Sequence, residues 1–404
     1  MPAEGAAAGG VSPDPGTGVQ AHGLAASLGV TVATALPPAL AGAMAAQIIG
    51  ELGIAHAAFG VAVGAFFLTN AVVSPWAGAL ADRLGEHRSV QVAVTLSSVS
   101  MLGVAACGTS YPMIVAFLLL GGLGAAVGGP AGSILLAGAA GLRWQALLFG
   151  VRQAFVPAAS LLGGLAVPIF AGAVFGWRIA FLTGGALVIL LAFMGRARRP
   201  PGKTVGELAG LSPYRLHELW LLAVVFALSG SAANAVTTFV VDYAATAGQS
   251  LAFGGMALAM ASSAAIVARV AIGYWVGRLR LDSLKVTAVM LVIGIGGFAW
   301  IAAGPATAIL PGSVLGMAGA WGWSGLLIYA VTFGFGESPG RANGIVQAGG
   351  ASGGILGPVL TGWTVQTFSY TAAWTLATVL VSLSAVIVVV LLVRRRRREA
   401  VRIG

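Results

Sequence analysis

The sequence GALADRLGEHR, residues 78–88, lies between two long apolar runs. It places several charged side chains around Gly85 in a chain of 404 residues of which only 8% are charged. Charged groups are costly inside a bilayer. The cluster therefore predicts a turn at which two membrane helices meet water. A weaker copy, GYWVGRL, follows at residues 273–279.

The composition indicates an integral membrane protein. Hydrophobic residues make up 58% of the chain. Charged residues make up 8%, whereas a soluble domain carries about 25% charged residues. A single cysteine excludes an intrachain disulfide, and the four histidines lie far apart, so neither a metal site nor a cofactor is predicted. The chain has a net charge of +10, and its basic residues lie mainly in short loops and in the run 394–398. That placement is typical of charge that orients membrane helices and argues against nucleic acid as a partner.

Twelve apolar segments are long enough to cross a membrane, which takes about 20 residues. The sequence thus predicts an all-α membrane protein. With both termini in the cytoplasm, 18 of the 21 Lys and Arg fall in cytoplasmic segments and only Arg178 in an outer loop, as the positive-inside rule requires. The use of 19 Arg against 2 Lys suits a GC-rich bacterial genome, so we expect a bacterial inner membrane. The predicted spans are 24–48, 57–80, 89–108, 112–137, 146–172, 177–195, 217–241, 252–276, 284–303, 306–332, 341–366 and 370–393.

The two halves of the chain repeat one another. At an offset of 195, Gly53 matches Gly248 and Arg83 matches Arg278, and at 194 the segment 150–154 matches 344–348. A repeat of six helices predicts two parallel bundles related by a pseudo-two-fold axis along the membrane normal. The predicted organisation is a disordered tail 1–22, a first bundle 23–195, a linker 196–216, a second bundle 217–393 and a basic tail 394–404.

The hairpin resembles the signature between helices 2 and 3 of the major facilitator superfamily, and the copy at 273–278 resembles its degenerate partner between helices 8 and 9. The resemblance covers about residues 24–393. It implies the fold of that superfamily and transport by alternating access. It also implies a latch between Asp82 and the start of helix 11, where Ser338 and Pro339 precede Arg341 and would cap and begin the helix. The gating residues expected from the resemblance are Gly78, Asp82, Arg83, Gly85, Arg88 and Arg341.

Two motifs of proton-coupled drug transporters are missing. The helix-4 arginine would fall near Leu118, and the helix-5 motif Gly-Pro…Gly-Gly reads Val156-Pro157…Ser160-Leu161. Both absences disfavour drug–proton antiport. Helix 5 instead carries VRQAFVP at 151–157, which resembles the pattern of bacterial cyanate-permease-type transporters of small anions.

Arg152 and Arg269 lie inside the predicted spans 5 and 8, where no Asp or Glu is found at a similar depth. In the superfamily these helices line the seam between the bundles. Two such cations predict a site for a small organic anion, because guanidinium groups suit carboxylates. The alternative is that either arginine snorkels to the interface or caps free carbonyls. Further candidate substrate residues, which could equally form interhelical hydrogen bonds, are Gln153, Gln347, Asn70 and Asn234.

Trp321 and Trp323 lie in the middle of predicted span 10. Packing against lipid is the simpler interpretation of this pair, and lining the cavity is the alternative.

The leading hypothesis is a monomeric secondary or facilitative transporter of a carboxylate-like anion. One alternative is a carrier or drug-efflux exporter of an uncharged or cationic solute. Another, from a different class, is a membrane sensor on a transporter fold. No enzyme is predicted, since no nucleophile–base pair or nucleotide motif is discernible. The coupling stays open between facilitated diffusion, exchange with a counter-anion and co-transport of protons.

Overall fold

The computed structural model describes residues 16–136, 145–173, 175–194, 216–279, 281–334 and 339–403. Every predicted span coincides with a described helix or a pair of helices. The first span is divided into α1 and α2 after Ala43, and the tenth into α11 and α12. The helices are α1 (Gly16–Ala43), α2 (Ala45–Leu52), α3 (His56–Leu84), α4 (Glu86–Cys107), α5 (Tyr111–Leu136), α6 (Gln145–Phe170), α7 (Gly176–Met194), α8 (Leu216–Thr246), α9 (Leu251–Leu279), α10 (Ser283–Ala302), α11 (Ile309–Trp321), α12 (Ser324–Gly334), α13 (Pro339–Thr367) and α14 (Tyr370–Ile403).

Most of these helices are apolar and long enough to cross a bilayer. Within the described residues, nine segments meet both conditions alone, and α1 with α2 makes a tenth, bent by 59°. The apolar part of α7, Gly176–Leu190, is shorter. The glycine-rich α13 is not among the apolar segments. The predicted multi-pass architecture is confirmed, while a count of twelve spans stays a prediction for α7 and α13.

The repeat is visible in the backbone. We call the side on which α1 begins and α14 ends the inner side, and the opposite side the outer side. Gly53 follows α2 and Gly248 follows α8, both on the outer side, and their φ angles are 61° and 78°. Left-handed φ favours glycine because it lacks a Cβ. The same turn therefore recurs 195 residues later, as the predicted repeat requires.

Two close helix contacts join the bundles, α3 against α13 and α6 against α9. A Cβ on Gly60 of α3 would lie 2.2 Å from the carbonyl oxygen of Pro358. A Cβ on Gly255 of α9 would lie 2.7 Å from the carbonyl oxygen of Gly164. Pro358 and Gly164 are 194 positions apart, so the two contacts are related by the repeat. Small residues allow this close approach of membrane helices, and they position both walls of the space between the bundles.

The basic tail continues the last helix instead of forming a separate segment, because α14 runs to Ile403. Two of its arginines bind acidic residues on the inner side. Arg398 Nη2 lies 2.7 Å from Glu218 Oε1, and Arg395 Nη1 lies 3.4 Å from Asp282 Oδ2. These ion pairs hold the end of α14 against α8 and the start of α10. The predicted linker 196–216 lies outside the described residues except for Leu216.

Candidate functional site

A cavity of about 730 Å³ lies between the two bundles. Its walls come from α1, α3, α5 and α6 on one side and from α8, α9, α11 and α13 on the other. Helices of both halves bring the predicted substrate residues together here, although they are spread over 278 positions of the chain. All six line this one cavity: Asn70, Arg152, Gln153, Asn234, Arg269 and Gln347.

Arg269 is the most constrained of these residues. Only 2% of its surface is exposed. Its Nε donates a hydrogen bond to the backbone oxygen of Trp321 over 3.1 Å, and its Nη1 donates to the backbone oxygen of Gln153. The guanidinium carbon lies 4.6 Å from the centre of the Trp321 ring, within the range of a cation–π contact. The side chain therefore ties α9 to α6 and α11. A guanidinium has five N–H donors, so three are not used by these two bonds.

The carbonyl of Trp321 is available because the tenth span is broken. Trp321 is the last residue of α11, and α12 begins at Ser324. The last four carbonyls of a helix lack a partner within it, and Arg269 supplies one here. The break has no room for a side chain at Gly322, since a Cβ there would lie 2.4 Å from the oxygen of Ala318. The predicted span 306–332 is found as one apolar segment, and the break divides it into α11 and α12.

The two tryptophans at the break do not pack against lipid. Trp321 lines the cavity. Trp323 is fully buried, and its ring centre lies 5.6 Å from that of Phe226, which also lines the cavity. Lipid packing was therefore the wrong interpretation of this pair. Both rings belong to the wall between the bundles and its support.

Arg152 lies half-buried on α6, next to Gln153 in sequence, and lines the same cavity as Arg269. Within the described part of the chain, the residues that line the cavity include these two arginines and no Asp or Glu. The lining thus carries formal positive charge only. Both arginines line the space between the bundles.

The amide side chains of the lining differ in the hydrogen bonds that they make. Asn234 donates from Nδ2 to the oxygen of Gly230 over 2.8 Å, which is a bond within its own helix. Asn70 accepts a hydrogen bond from Ser74 Oγ over 3.2 Å through Oδ1. Gln347 is exposed, and it lines the cavity from α13. A structural role is therefore realised for Asn234, whereas Gln347 presents its amide to the cavity.

The predicted gating residues are only partly described. Arg83 and Arg88 are exposed on the inner side, and Gly85 between α3 and α4 has a φ of 76°. Helix α13 is described from Pro339 onward. Ser338 lies outside the described residues, and so do the surroundings of the side chains of Asp82 and Arg341 and of Gly78. The latch between Asp82 and α13 stays a prediction.

One cluster was missed from the sequence. The predicted span 7 ended before Asp242, but α8 continues to Thr246 and leaves only 5% of Asp242 exposed. His56 Nε2 lies 2.8 Å from Asp242 Oδ2, and Tyr370 donates its hydroxyl hydrogen to the same oxygen. The contact could not be predicted, because His56 and Asp242 lie 186 positions apart in the sequence. An aspartate at the end of an otherwise apolar run was the available signal.

The comparisons with known proteins agree with this architecture. The model of the Major Facilitator Superfamily matches residues 23–338. A solved bacterial homolog of the human lysosomal transporter Spinster, in an inward-facing and occupied conformation, has a TM-score of 0.73 at 15% identity and covers 94% of this chain and 97% of its own. The inward-facing, unoccupied form of such a homolog has a TM-score of 0.66 at 18% identity, over 95% and 96% of the two chains. At these identities the likeness shows the fold.

A sequence relative is the quinolone resistance protein NorA of Staphylococcus aureus strain MRSA252, which is 30% identical over 146 residues. The match spans 36% of this chain and 36% of NorA, so it extends over about a third of either protein. The family model, in contrast, covers well over half of the chain. This chain is a multi-pass membrane transporter and belongs to the Major Facilitator Superfamily.

Proposed function

We propose that this transporter binds a small organic anion in the cavity between its bundles and moves it across the cytoplasmic membrane by alternating access. The observation that carries this proposal is the charge of the cavity lining. Arg152 and Arg269 contribute positive charge, and no carboxylate is present among the described residues of the lining. A carboxylate cargo would supply the opposite charge through charge-assisted hydrogen bonds.

The shape and lining of the cavity favour a carboxylate with an apolar body. Its volume of about 730 Å³ falls within the range of about 300–1,000 Å³ that is usual for ligand pockets. Phe66, Phe67, Phe226 and Trp321 supply apolar surface beside the two arginines. The amide of Gln347, on α13 of the second bundle, supplies a further donor and acceptor.

Two features support a rocking motion of the bundles around the cargo. The seams α3–α13 and α6–α9 are related by the repeat. Each can serve as a hinge about which the bundles rotate, so that one end of the cavity opens while the other closes. The charged hairpins lie on the inner side, and the distribution of Lys and Arg favours placing that side in the cytoplasm of a bacterium. There Asp82 and Arg341 would close the inner end of the pathway.

A second candidate function is the efflux of a cationic or uncharged drug. The likeness to NorA, whose name denotes quinolone resistance, favours it, and so do the aromatic rings in the cavity. A bound cation would lie beside two guanidinium groups without a compensating acid in the described lining, which would weaken its binding. The two candidates therefore differ in the sign of the charge that the cavity accepts.

A binding screen separates them. The purified full chain is titrated with small carboxylates, with inorganic anions and with the lipophilic cation tetraphenylphosphonium, and the thermal shift is recorded. We expect stabilisation by a carboxylate, and at least about a tenfold weaker affinity for Arg152→Gln, since a hydrogen bond to a charged group contributes about 1.5–3 kcal/mol.

The matched control is Arg396→Gln, which removes an exposed arginine on α14. It should bind the carboxylate as the unmodified chain does. Stabilisation by the cation alone, or equal affinity of the Arg152→Gln variant for the carboxylate, would contradict the anion proposal and favour efflux.

A further inference from the structure

A hydrogen-bonded triad of ionisable side chains lies in the seam between the bundles on the outer side. Asp242 accepts hydrogen bonds at one oxygen from His56, over 2.8 Å, and from Tyr370. The side chain of Asp242 is 7% exposed and that of His56 is 26% exposed. His56 therefore meets outer water at one edge while its ring faces a buried carboxylate.

The triad joins the two halves of the protein. His56 begins α3 in the first bundle, whereas Asp242 of α8 and Tyr370 of α14 belong to the second. The backbone N–H of His56 also donates to Gln366 Oε1 of α13 over 3.2 Å. Opening of the outer end would have to separate His56 from all three partners.

Other ionisable groups near the triad do not compete for Asp242. Tyr243 packs its ring 4.9 Å from the ring of Tyr370. Glu51, on the neighbouring α2, accepts hydrogen bonds of 2.5 Å from both Trp177 and Arg178. The facing part of α13 contributes the uncharged Gln366. Within the described residues, His56 is thus the one basic side chain that binds Asp242.

The triad is separate from the cavity. Phe59 and Phe239 are both fully buried and lie between them, with their ring centres 6.0 Å apart. Neither His56 nor Asp242 lines the cavity. A proton therefore reaches His56 from its exposed edge on the outer side, and the cargo does not touch the triad.

The fold itself does not require an acid at this position. Asp242 lies six residues before the left-handed Gly248, and Gln47 lies six residues before the equivalent Gly53. Gln47 donates a hydrogen bond to the oxygen of Ala171 over 3.0 Å. At the repeat-related position of the first half, a neutral amide thus connects α2 to the residue that follows α6. The carboxylate is specific to the second half, and its histidine partner lies across the seam in the first bundle.

We propose that His56, Asp242 and Tyr370 form a proton-binding site, and that a proton bound to His56 holds the outer end closed. An adjacent carboxylate favours the protonated imidazole. In the open state His56 is separated from Asp242 and loses the carboxylate that favours its protonated form. The closed state binds the proton more tightly, so by linkage acidity closes the outer end and alkalinity opens it. The proposal rests on alternating access and not on the charge of the cargo.

The test measures the separation of the outer ends without any substrate. Cys107 is the single cysteine of the chain, is exposed and lies at the outer end of α4. A second label at Ala303→Cys, exposed at the end of α10, reports on the other bundle. Electron spin resonance of the doubly labelled full chain gives the fraction with a short label distance between pH 5.5 and 8.5. We expect the closed-to-open ratio to fall as the pH rises. The fall is roughly tenfold where the closed state binds the proton about ten times more tightly than the open state.

His56→Gln, which keeps a donor but cannot be protonated, should abolish the dependence on pH, and Asp242→Asn should do the same independently. The matched control is His217→Gln, which changes an exposed histidine on the inner side and should leave the response intact. A ratio that does not change with pH in the unmodified chain, or a response that persists in His56→Gln, would overturn the proposal. Failure of the anion proposal would not affect this measurement, because no cargo is present.

Discussion

Arg269 acts on three helices at once. It donates to carbonyls of α11 and α6 and stacks on the ring of Trp321. Lysine keeps the charge but lacks the planar fork that these contacts use. The residue therefore positions the wall of the cavity through these contacts.

We expect Arg269→Lys to destabilise the protein by about 1–3 kcal/mol, because a buried carbonyl loses its partner. Thermal unfolding in detergent measures the effect. Arg278→Lys, at an exposed position on the inner end of the same helix, is the control and should unfold as the unmodified chain does. Equal stability of the two variants would show that the contacts of Arg269 contribute little.

The chemistry of the cavity could largely be predicted from residue types. Arginines and amides inside apolar helices are rare enough to identify Arg152, Arg269 and Gln347, and the structure brings them together. The hydrogen-bond partners of these side chains could not be predicted. The carbonyl of Trp321 is available to Arg269 only because its helix is broken after this residue. The pair of His56 and Asp242 was missed because the contact joins helices that are far apart in sequence.

The helix contacts of the seams depend on glycine. Gly60 faces the carbonyl of Pro358, at a distance that leaves no room for a methyl group. Backbone atoms cannot move aside as a flexible side chain can. An added side chain would therefore force α3 and α13 apart.

We expect Gly60→Ala to reduce the closed population of the outer end or to destabilise the protein. The label pair at Cys107 and Ala303→Cys measures the population, and thermal unfolding measures the stability. The control is Gly296→Ala on the exposed face of α10, where no atom lies within 4 Å of the added Cβ. Alanine there should be neutral or stabilising by up to about 1 kcal/mol. An unchanged closed population and stability in Gly60→Ala would contradict the described contact.

Helix positions followed from hydropathy alone, because a span of about 20 apolar residues has few alternatives in a membrane. Breaks and ends did not follow. The bend between α1 and α2 and the break at Gly322 leave no mark in hydropathy, since the apolar segment continues through both. The inner end of α14 makes ion pairs with Glu218 and Asp282, which only tertiary structure can bring together.

The whole molecule is a duplicated bundle with a positively charged cavity between its halves. The duplication was predictable from constant offsets between glycines, and the equal turns at Gly53 and Gly248 reproduce it. The family follows from the match over residues 23–338. The cargo does not follow from the family, since related folds carry unlike molecules, and it has to be argued from the charge of the lining.

The most direct test of the anion proposal is flux. The full chain is reconstituted into liposomes preloaded with the carboxylate that the binding screen identifies, and the entry of its radiolabelled form by exchange is measured beside that of labelled tetraphenylphosphonium. We predict saturable exchange of the carboxylate, loss of most of that flux in Arg152→Gln and normal flux in Arg396→Gln. Saturable flux of the cation with none of the carboxylate, or full carboxylate flux without Arg152, would contradict the account.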